Sequence, residues 1–564
     1  MLVYIFLILV FLAPRLPGIG SFVTLDEASW LSQGANFYYA LGQREFENTV
    51  YEYQPAVTTM WIISAAMFLY FPEYRGFGQG YLDYEKGRLD PFMYQHGYDP
   101  LVLLEYARII QLVVLLILSL VLYYLFQRFF SKPVSLFVLL FAFFDPFHLS
   151  QTRLLDHEAM VSMFVLVSLF AFALYLFEDG RWIFLFLSGV AAGFAQLSKS
   201  SAIAMLAALG ILLLVKLFQD KHNGWGRALL NPVKIFMIWF AVLAFTYFVF
   251  WPGMWVAPGK MLYQVYGNAF SYAFQGARLT VTEELDVSQF SLNTSFGDLW
   301  ELTKILLYRT TPFTWLGVVL GCVMPFFYNP EKEKQSKLFL ALLLVNGLAF
   351  ILLIGIAQGR NSPHYILTSY LSFNFLAGLG WYYFIQWFSN LYSWKENFRY
   401  GCLSFLLILQ IWSGLSYYPY YFTYRNPISY ALGENRDYPQ FPYGEGLELA
   451  ARYLSALPGA EDATAFVYYS RGCFSYYYPG RSISFRPYYV DGEHATDLLS
   501  NLQNADFLVV YTANQGKLEK YHSYLNILSK LEPIHEIYMD DYIYVQIYDV
   551  DSMPQEIFDA LADL

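Results

Sequence analysis

Apolar runs long enough to cross a bilayer recur along this chain, separated by short polar stretches. Runs at 1–19, 104–127, 133–150, 156–177, 182–197, 201–218, 234–251, 312–328, 338–357, 365–388 and 401–421 predict eleven membrane-spanning helices. The run "VTTMWIISAAMFLY" from Val57 is too short to span comfortably and reads as a re-entrant or interfacial helix. The leading "MLVYIFLILVFLAP" lacks a basic n-region and an A-x-A-like cleavage site, so it is expected to stay as a first helix. After about residue 422 the pattern changes. "ATAFVYYS", "ADFLVVYT" and "YIYVQIYDV" predict strands, and "GEGLELAARYLSAL" and "LEKYHSYLNILSKL" predict amphipathic helices.

Composition agrees with a membrane protein. Hydrophobic residues make up 57% and charged residues 14%, where soluble proteins carry roughly a quarter charged. The 50 tyrosines exceed what membrane interfaces absorb, so some are expected in a cavity or a soluble domain. The net charge of −11 comes with no basic stripe, which argues against a nucleic-acid partner. Three cysteines, Cys322, Cys402 and Cys473, form neither a disulfide framework nor a metal cluster by spacing.

Charge also sets the topology. One set of short loops carries Arg128, Lys132, Arg181, Lys216, Lys221 and Arg227, among others, and is expected to be cytoplasmic. The N-terminus then lies inside. Loops 20–103 and 252–311, and everything after the last span, lie outside. The expected division is a transmembrane domain over 1–422 and an exterior soluble α/β domain over 423–564.

Four exterior mouths of this bundle present charge. The first is Asp26–Glu27, just past the first span. These acids fit a solvated loop or a capped helix start, with Thr24 or Asp26 as cap. They equally fit a base held beside low-dielectric surface. The second is "SQTRLLDHEAM", in which Arg153, Asp156 and His157 can share a helical face while Glu158 points elsewhere. It reads as an interfacial salt-bridge cluster or as a polar site. An ion at a helix centre costs roughly 2.5–3.5 kcal/mol, so four ionisable groups suggest a hydrated cavity. The third is Lys199, a snorkelling lysine or a partner for an anionic headgroup. The fourth is Arg360 with His364 around a proline. Taken together they describe an outward-facing pocket with acids for chemistry and cations for a phosphate. No P-loop, GxGxxG, HExxH, CxxC or G-x-S-x-G is present, so neither a nucleotide nor a bound metal is expected from motifs.

The ordered set "LDEASWL", "YQPAVTTMW", "TRLLDHEAM", "GVAAGFAQLSKSSAI" and "FWPGMWVAPG" resembles glycosyltransferase family 39, the protein O-mannosyltransferase-like group of the GT-C class. The resemblance covers roughly residues 1–420. It implies a mainly α, polytopic GT-C fold with exterior amphipathic helices and a small C-terminal α/β domain. It implies a polyprenyl-phosphate sugar as donor, and a protein, glycolipid or polysaccharide hydroxyl as acceptor. Transfer would take place at the exterior face of the cell membrane, with inversion. By resemblance Asp26 is the general base and Glu27 orients the site or binds the acceptor. The family's Arg and acid fall on Arg153 and Glu158, with Asp156 near, and Lys199 would steady the phosphate. His364 stands where relatives have Arg, giving a weaker, pH-dependent cation, and Arg360 would compensate. Gln54 stands where relatives have His, which weakens a metal ligand there and leaves a divalent cation open. A transporter or flippase of lipid-linked sugars is the competing function, and a non-catalytic surface scaffold is a third. No related Gly/Pro-broken halves favour transport.

Overall fold

The computed structural model describes residues 2–50, 54–83, 87–223, 225–275, 292–327, 336–357, 362–431, 442–485, 493–513 and 519–562. The helices that matter below are α1 (Leu2–Leu12), α2 (Glu27–Gln43), α3 (Val57–Tyr70), α4 (Pro100–Phe126), α5 (Lys132–Phe143), α6 (Pro146–Gln151), α7 (His157–Leu174), α8 (Trp182–Ser198), α9 (Met205–Asp220), α10 (Trp225–Phe250), α11 (Pro312–Phe327), α12 (Ser336–Ile356), α13 (Leu367–Leu391), α14 (Glu396–Leu415) and α15 (Leu447–Ser455). Each of the expected apolar runs falls on one of them except 133–150, which is broken into α5 and α6 at Asp145, whose side chain accepts from the His148 N–H and caps α6.

Among the described residues six helices are long and apolar enough to cross a membrane: Pro100–Phe126, His157–Asp179, Ser200–Asp220, Ala228–Phe250, Lys337–Ile356 and Glu396–Leu415. A seventh counts if Leu299–Arg309 and Pro312–Phe327, bent by 115°, form one span. The apolar helices α1, α3, α5 and α8 are shorter. The expected run 365–388 forms the long helix α13, but Thr368, Ser369, Ser372 and Asn374 make it more polar than a lipid-facing span. Those four side chains are buried.

The chain divides into two compact units. One comprises Met1–Pro17, Gly34–Gly78 and Ala107–Ser429; the other comprises Gly18–Gln33, Gln79–Tyr106 and Tyr430–Leu564. The first is a helical bundle. Its helix α7 is apolar on all sides and every residue of it is buried, as suits a helix packed in protein rather than against lipid. Small residues let neighbours approach. Gly317 and Gly321 of α11 meet Gly380 of α13 backbone to backbone: a Cβ on Gly380 would stand 2.2 Å from the Gly317 carbonyl oxygen. Gly189 and Gly193 of α8 lie against the side chains of Val242 and Thr246 of α10. Without a hydrophobic drive between helices in lipid, such close van der Waals contact is the main adhesive.

The second unit holds a five-stranded sheet in the order β2-β1-β3-β5-β4: β1 (Thr464–Tyr468), β2 (Arg481–Phe485), β3 (Phe507–Val510), β4 (His535–Met539) and β5 (Tyr542–Asp549). Strand β1 runs parallel to both β2 and β3, whereas β5 is antiparallel to β3 and β4. The three expected strands are β1, β3 and β5. Strands β2 and β4 lie at the two edges, where an apolar signature is not required. Asp540, with φ +52°, turns the chain between β4 and β5.

Replacing Gly380 by alanine is expected to drive α11 and α13 apart. Overpacking of this kind costs about 1–3 kcal/mol. The thermal unfolding midpoint of the purified protein in detergent should fall, and an unchanged midpoint would contradict the close crossing.

Candidate functional site

In the helical unit, His157 and Glu158 of the second charged mouth, Lys199 of the third and His364 of the fourth come together where α7 begins and α8 ends. The segment between α6 and α7 does not continue a helix. Asp156 is extended (φ −146°, ψ 145°) and caps α7, its Oδ1 accepting from the Glu158 N–H at 3.2 Å. The expected helical face through Arg153, Asp156 and His157 therefore does not form. Capping ties Asp156 down further: its N–H donates to Gln111 Oε1 at 3.2 Å, and His157 Nδ1 lies 3.2 Å from its Oδ1.

Glu158 sits in the first turn of α7 and Lys199 is the C-cap of α8. The Lys199 ammonium donates to Glu158 Oε1, and His157 Nε2 is 3.7 Å from the same oxygen. Relative exposure is 2% for Glu158 and 6% for Lys199, so this is a buried ion pair. Lys199 Nζ also stands 4.2 Å from the ring centroid of Tyr365. His364, next to Tyr365, lies within electrostatic reach of His157. Arg360 lies outside the described residues.

Lys199 lines a cavity of about 310 Å³. Its polar lining is Gln54, Lys199, Ser200, Ser201, Tyr266 and Tyr365, and Ile203, Phe270, Leu353 and Ile354 are among its apolar lining. Gln54 reaches the cavity because its neighbour Ala56, with a left-handed φ of +46°, donates its N–H to the Ser198 carbonyl at 3.2 Å. The Thr58 and Ser198 hydroxyls are hydrogen-bonded at 2.8 Å. The start of α3 is thereby docked on the end of α8.

Arg153 has a different set of partners. It donates to the Pro17 carbonyl at 2.7 Å and the Pro419 carbonyl at 3.2 Å, and its guanidinium carbon lies 5.4 Å and 5.2 Å from the Tyr418 and Tyr421 rings. Bonded this way, the guanidinium joins three distant stretches of chain.

The first charged mouth belongs to the other unit. Glu27 begins α2 and is buried; its Oε2 accepts from the Thr24 N–H at 2.8 Å and the Thr24 hydroxyl at 2.9 Å. Asp26 accepts a hydrogen bond from the Tyr443 hydroxyl. Cys473 is buried in the same unit. Burial pushes its thiol well above the ordinary value, and the charges of Glu27, Glu448, Asp26 and Glu445 add to the effect. The thiol thus stays protonated and unreactive near neutral pH. Among the described residues no three His, Cys, Asp or Glu side chains are grouped to hold a metal ion.

Residues 103–251 match the family model of the dolichyl-phosphate-mannose-protein mannosyltransferases. The matched segment of this chain contains Arg153, Asp156, His157, Glu158 and Lys199. The match agrees with the family resemblance of the motifs, and the architecture agrees with the expected mainly helical membrane fold and small C-terminal sheet unit. No curated protein matches the chain. Among solved structures, the undecaprenyl-phosphate-bound ArnT from Cupriavidus metallidurans is 12% identical over 96% of this chain and 97% of its own, with a TM-score of 0.43. The Archaeoglobus fulgidus oligosaccharyltransferase in complex with Zn and sulfate is 10% identical over 93% and 69%, with a TM-score of 0.45. The archaeal oligosaccharyltransferase AglB from the same organism, with an inhibitory peptide and a dolichol-phosphate, is 12% identical over 90% and 68%, with a TM-score of 0.41.

Pattern did not single out Tyr365, Tyr266 or Tyr443 as site residues. In a chain with 50 tyrosines a single one carries no signal.

The ion pair yields a direct test. Lys199→Met should strand the buried Glu158 charge, and breaking a buried pair costs about 3–5 kcal/mol. Adding Glu158→Gln should restore most of that loss in thermal unfolding. A single variant as stable as the unsubstituted protein would show that the two charges are not buried together.

Proposed function

We propose that the protein is a membrane glycosyltransferase that moves a sugar from a polyprenyl-phosphate donor to an acceptor hydroxyl at the exterior face of the cell membrane. The observation that carries this is Lys199: a buried cation lining a largely apolar cavity. A prenyl chain needs apolar wall, and the phosphate it ends in needs a cation and hydroxyl donors. Lys199, Ser200 and Ser201 offer those donors beside Ile203, Phe270 and Leu353. Further support comes from the match of residues 103–251, Lys199 among them, to the mannosyltransferase model.

In this reading Asp26 accepts the proton of the acceptor hydroxyl. The freed oxygen forms a bond to the anomeric carbon as the bond from that carbon to the phosphate oxygen breaks. The electron pair leaves with the polyprenyl phosphate, and attack from the face opposite the leaving group inverts the carbon. Lys199 balances the charge that grows on the departing phosphate, with His364 as a further cation when protonated. The buried Glu158 holds Lys199 in place, and Asp156 sets the start of the helix that carries Glu158. Phosphate is already a good leaving group, so most of the catalytic task is positioning and charge balance. Arg153 serves the framework through the two carbonyls it bonds. Glu27, bonded to Thr24, keeps the Asp26 turn in shape.

The test uses membranes carrying the full chain, with polyprenyl-phosphate mannose as the probe donor. Asp26→Asn should lower sugar transfer by about 10²–10⁴-fold, the usual contribution of a positioned base. The variant should still insert and unfold at the original temperature. Transfer at the unsubstituted rate would remove Asp26 from the mechanism.

A further inference from the structure

The turn from Tyr443 to Gly446, at the head of α15, packs on the segment that precedes α2, within the sheet-containing unit. Its backbone is narrowly determined. Gly444 has φ +105° and Gly446 φ +93°, a region that side chains rarely adopt. A Cβ on Gly444 would stand 3.0 Å from both Cys473 Sγ and the Val23 carbonyl oxygen.

Buried side chains hold the turn in that shape. Glu445 Oε2 accepts from the Tyr443 N–H at 2.6 Å and from the Tyr511 hydroxyl at 3.2 Å. The Tyr511 hydroxyl in turn accepts from the Gly444 N–H at 3.0 Å. Glu448 Oε2 accepts from the Gly446 N–H at 2.9 Å. Glu445, Glu448 and Tyr511 are each at most 1% exposed. Burying two carboxylates is costly, and each must be bonded to be tolerated. The outcome of this outlay is the placement of one side chain: the Tyr443 hydroxyl donates to Oδ2 of Asp26.

We infer that Tyr443 is a positioning residue, which fixes the orientation of the Asp26 carboxylate through this hydrogen bond. The inference rests on Asp26 being the base of the reaction proposed above. An aspartate side chain turns freely about two torsions unless something holds it, and misplacement of a reacting group by about 1 Å can cost 10²-fold. A phenol donating to a carboxylate oxygen makes a strong, directional bond. Tyr443 and Asp26 are 417 positions apart. The C-terminal region therefore enters the reaction through the base itself, whatever part it takes in choosing an acceptor.

The experiment uses the full-length protein in detergent with polyprenyl-phosphate mannose as donor, following release of polyprenyl phosphate. Tyr443→Phe keeps the ring and removes only the hydroxyl. It should lower kcat about 10–100-fold, leave the donor KM unchanged and leave the unfolding midpoint in place. Combined with Asp26→Asn it should add no further loss, because both changes act at one group. Unsubstituted kcat in Tyr443→Phe beside an inactive Asp26→Asn overturns this inference alone. Full activity in Asp26→Asn overturns the base assignment and this inference with it. A loss in Tyr443→Phe that multiplies onto Asp26→Asn, or that follows a lowered unfolding midpoint, gives Tyr443 a structural role and also overturns the inference.

Discussion

A buried lysine–glutamate pair at the ends of two apolar helices is the constraint on which the helical unit turns. Taking either ion out of water costs several kcal/mol, and their mutual attraction repays that only with good geometry. The backbone helps. Glu158 lies in the first turn of α7 and Lys199 caps the last turn of α8, so each charge meets the end of a helix dipole that favours it. Asp156 starts α7 at the residue that sets Glu158 in its first turn, and the docking of α3 on Ser198 holds the end of α8. Several local features thus serve one electrostatic arrangement, and such a pair is a weak source of stability in itself. What it provides is a cation kept in an apolar setting. In the proposed reaction, the donor phosphate would offer Lys199 a second anion beside the apolar lining of the cavity.

The two units use acids in contrasting ways. In the helical unit the acid Glu158 serves to hold a cation. In the sheet-containing unit, Glu27, Glu445 and Glu448 are all buried and bonded to backbone N–H groups, so their charge is spent on shaping loops. Asp26 accepts from a distant side chain, the phenol of Tyr443. Buried acids that build a frame around one carboxylate are consistent with that carboxylate being the one that acts.

Much of this was legible in the chain. Apolar runs located the helices, because length and continuity are enough to mark a span. Strands β1, β3 and β5 announced themselves by Val, Ile and Tyr, whereas the edge strands "RSISF" and "HEIYM" mix polar with apolar residues and did not. The charged mouths at Glu158 and Lys199 were visible singly. Their pairing across 41 positions was not, since no local pattern encodes it. Arg153 resisted sequence reasoning for another reason: its partners are the carbonyls of Pro17 and Pro419, and a backbone carbonyl has no signature of its own. The helical spacing of Arg153, Asp156 and His157 misled because an aspartate able to cap a helix overrides periodicity at the point where it caps.

The most direct measurement is a structure of the protein determined in lipid with polyprenyl phosphate added. The account predicts the phosphate within hydrogen-bond distance of Lys199 Nζ, with the first prenyl units against Ile203, Phe270 and Leu353. A phosphate bound away from Lys199, with the cavity filled by ordinary lipid, would contradict it.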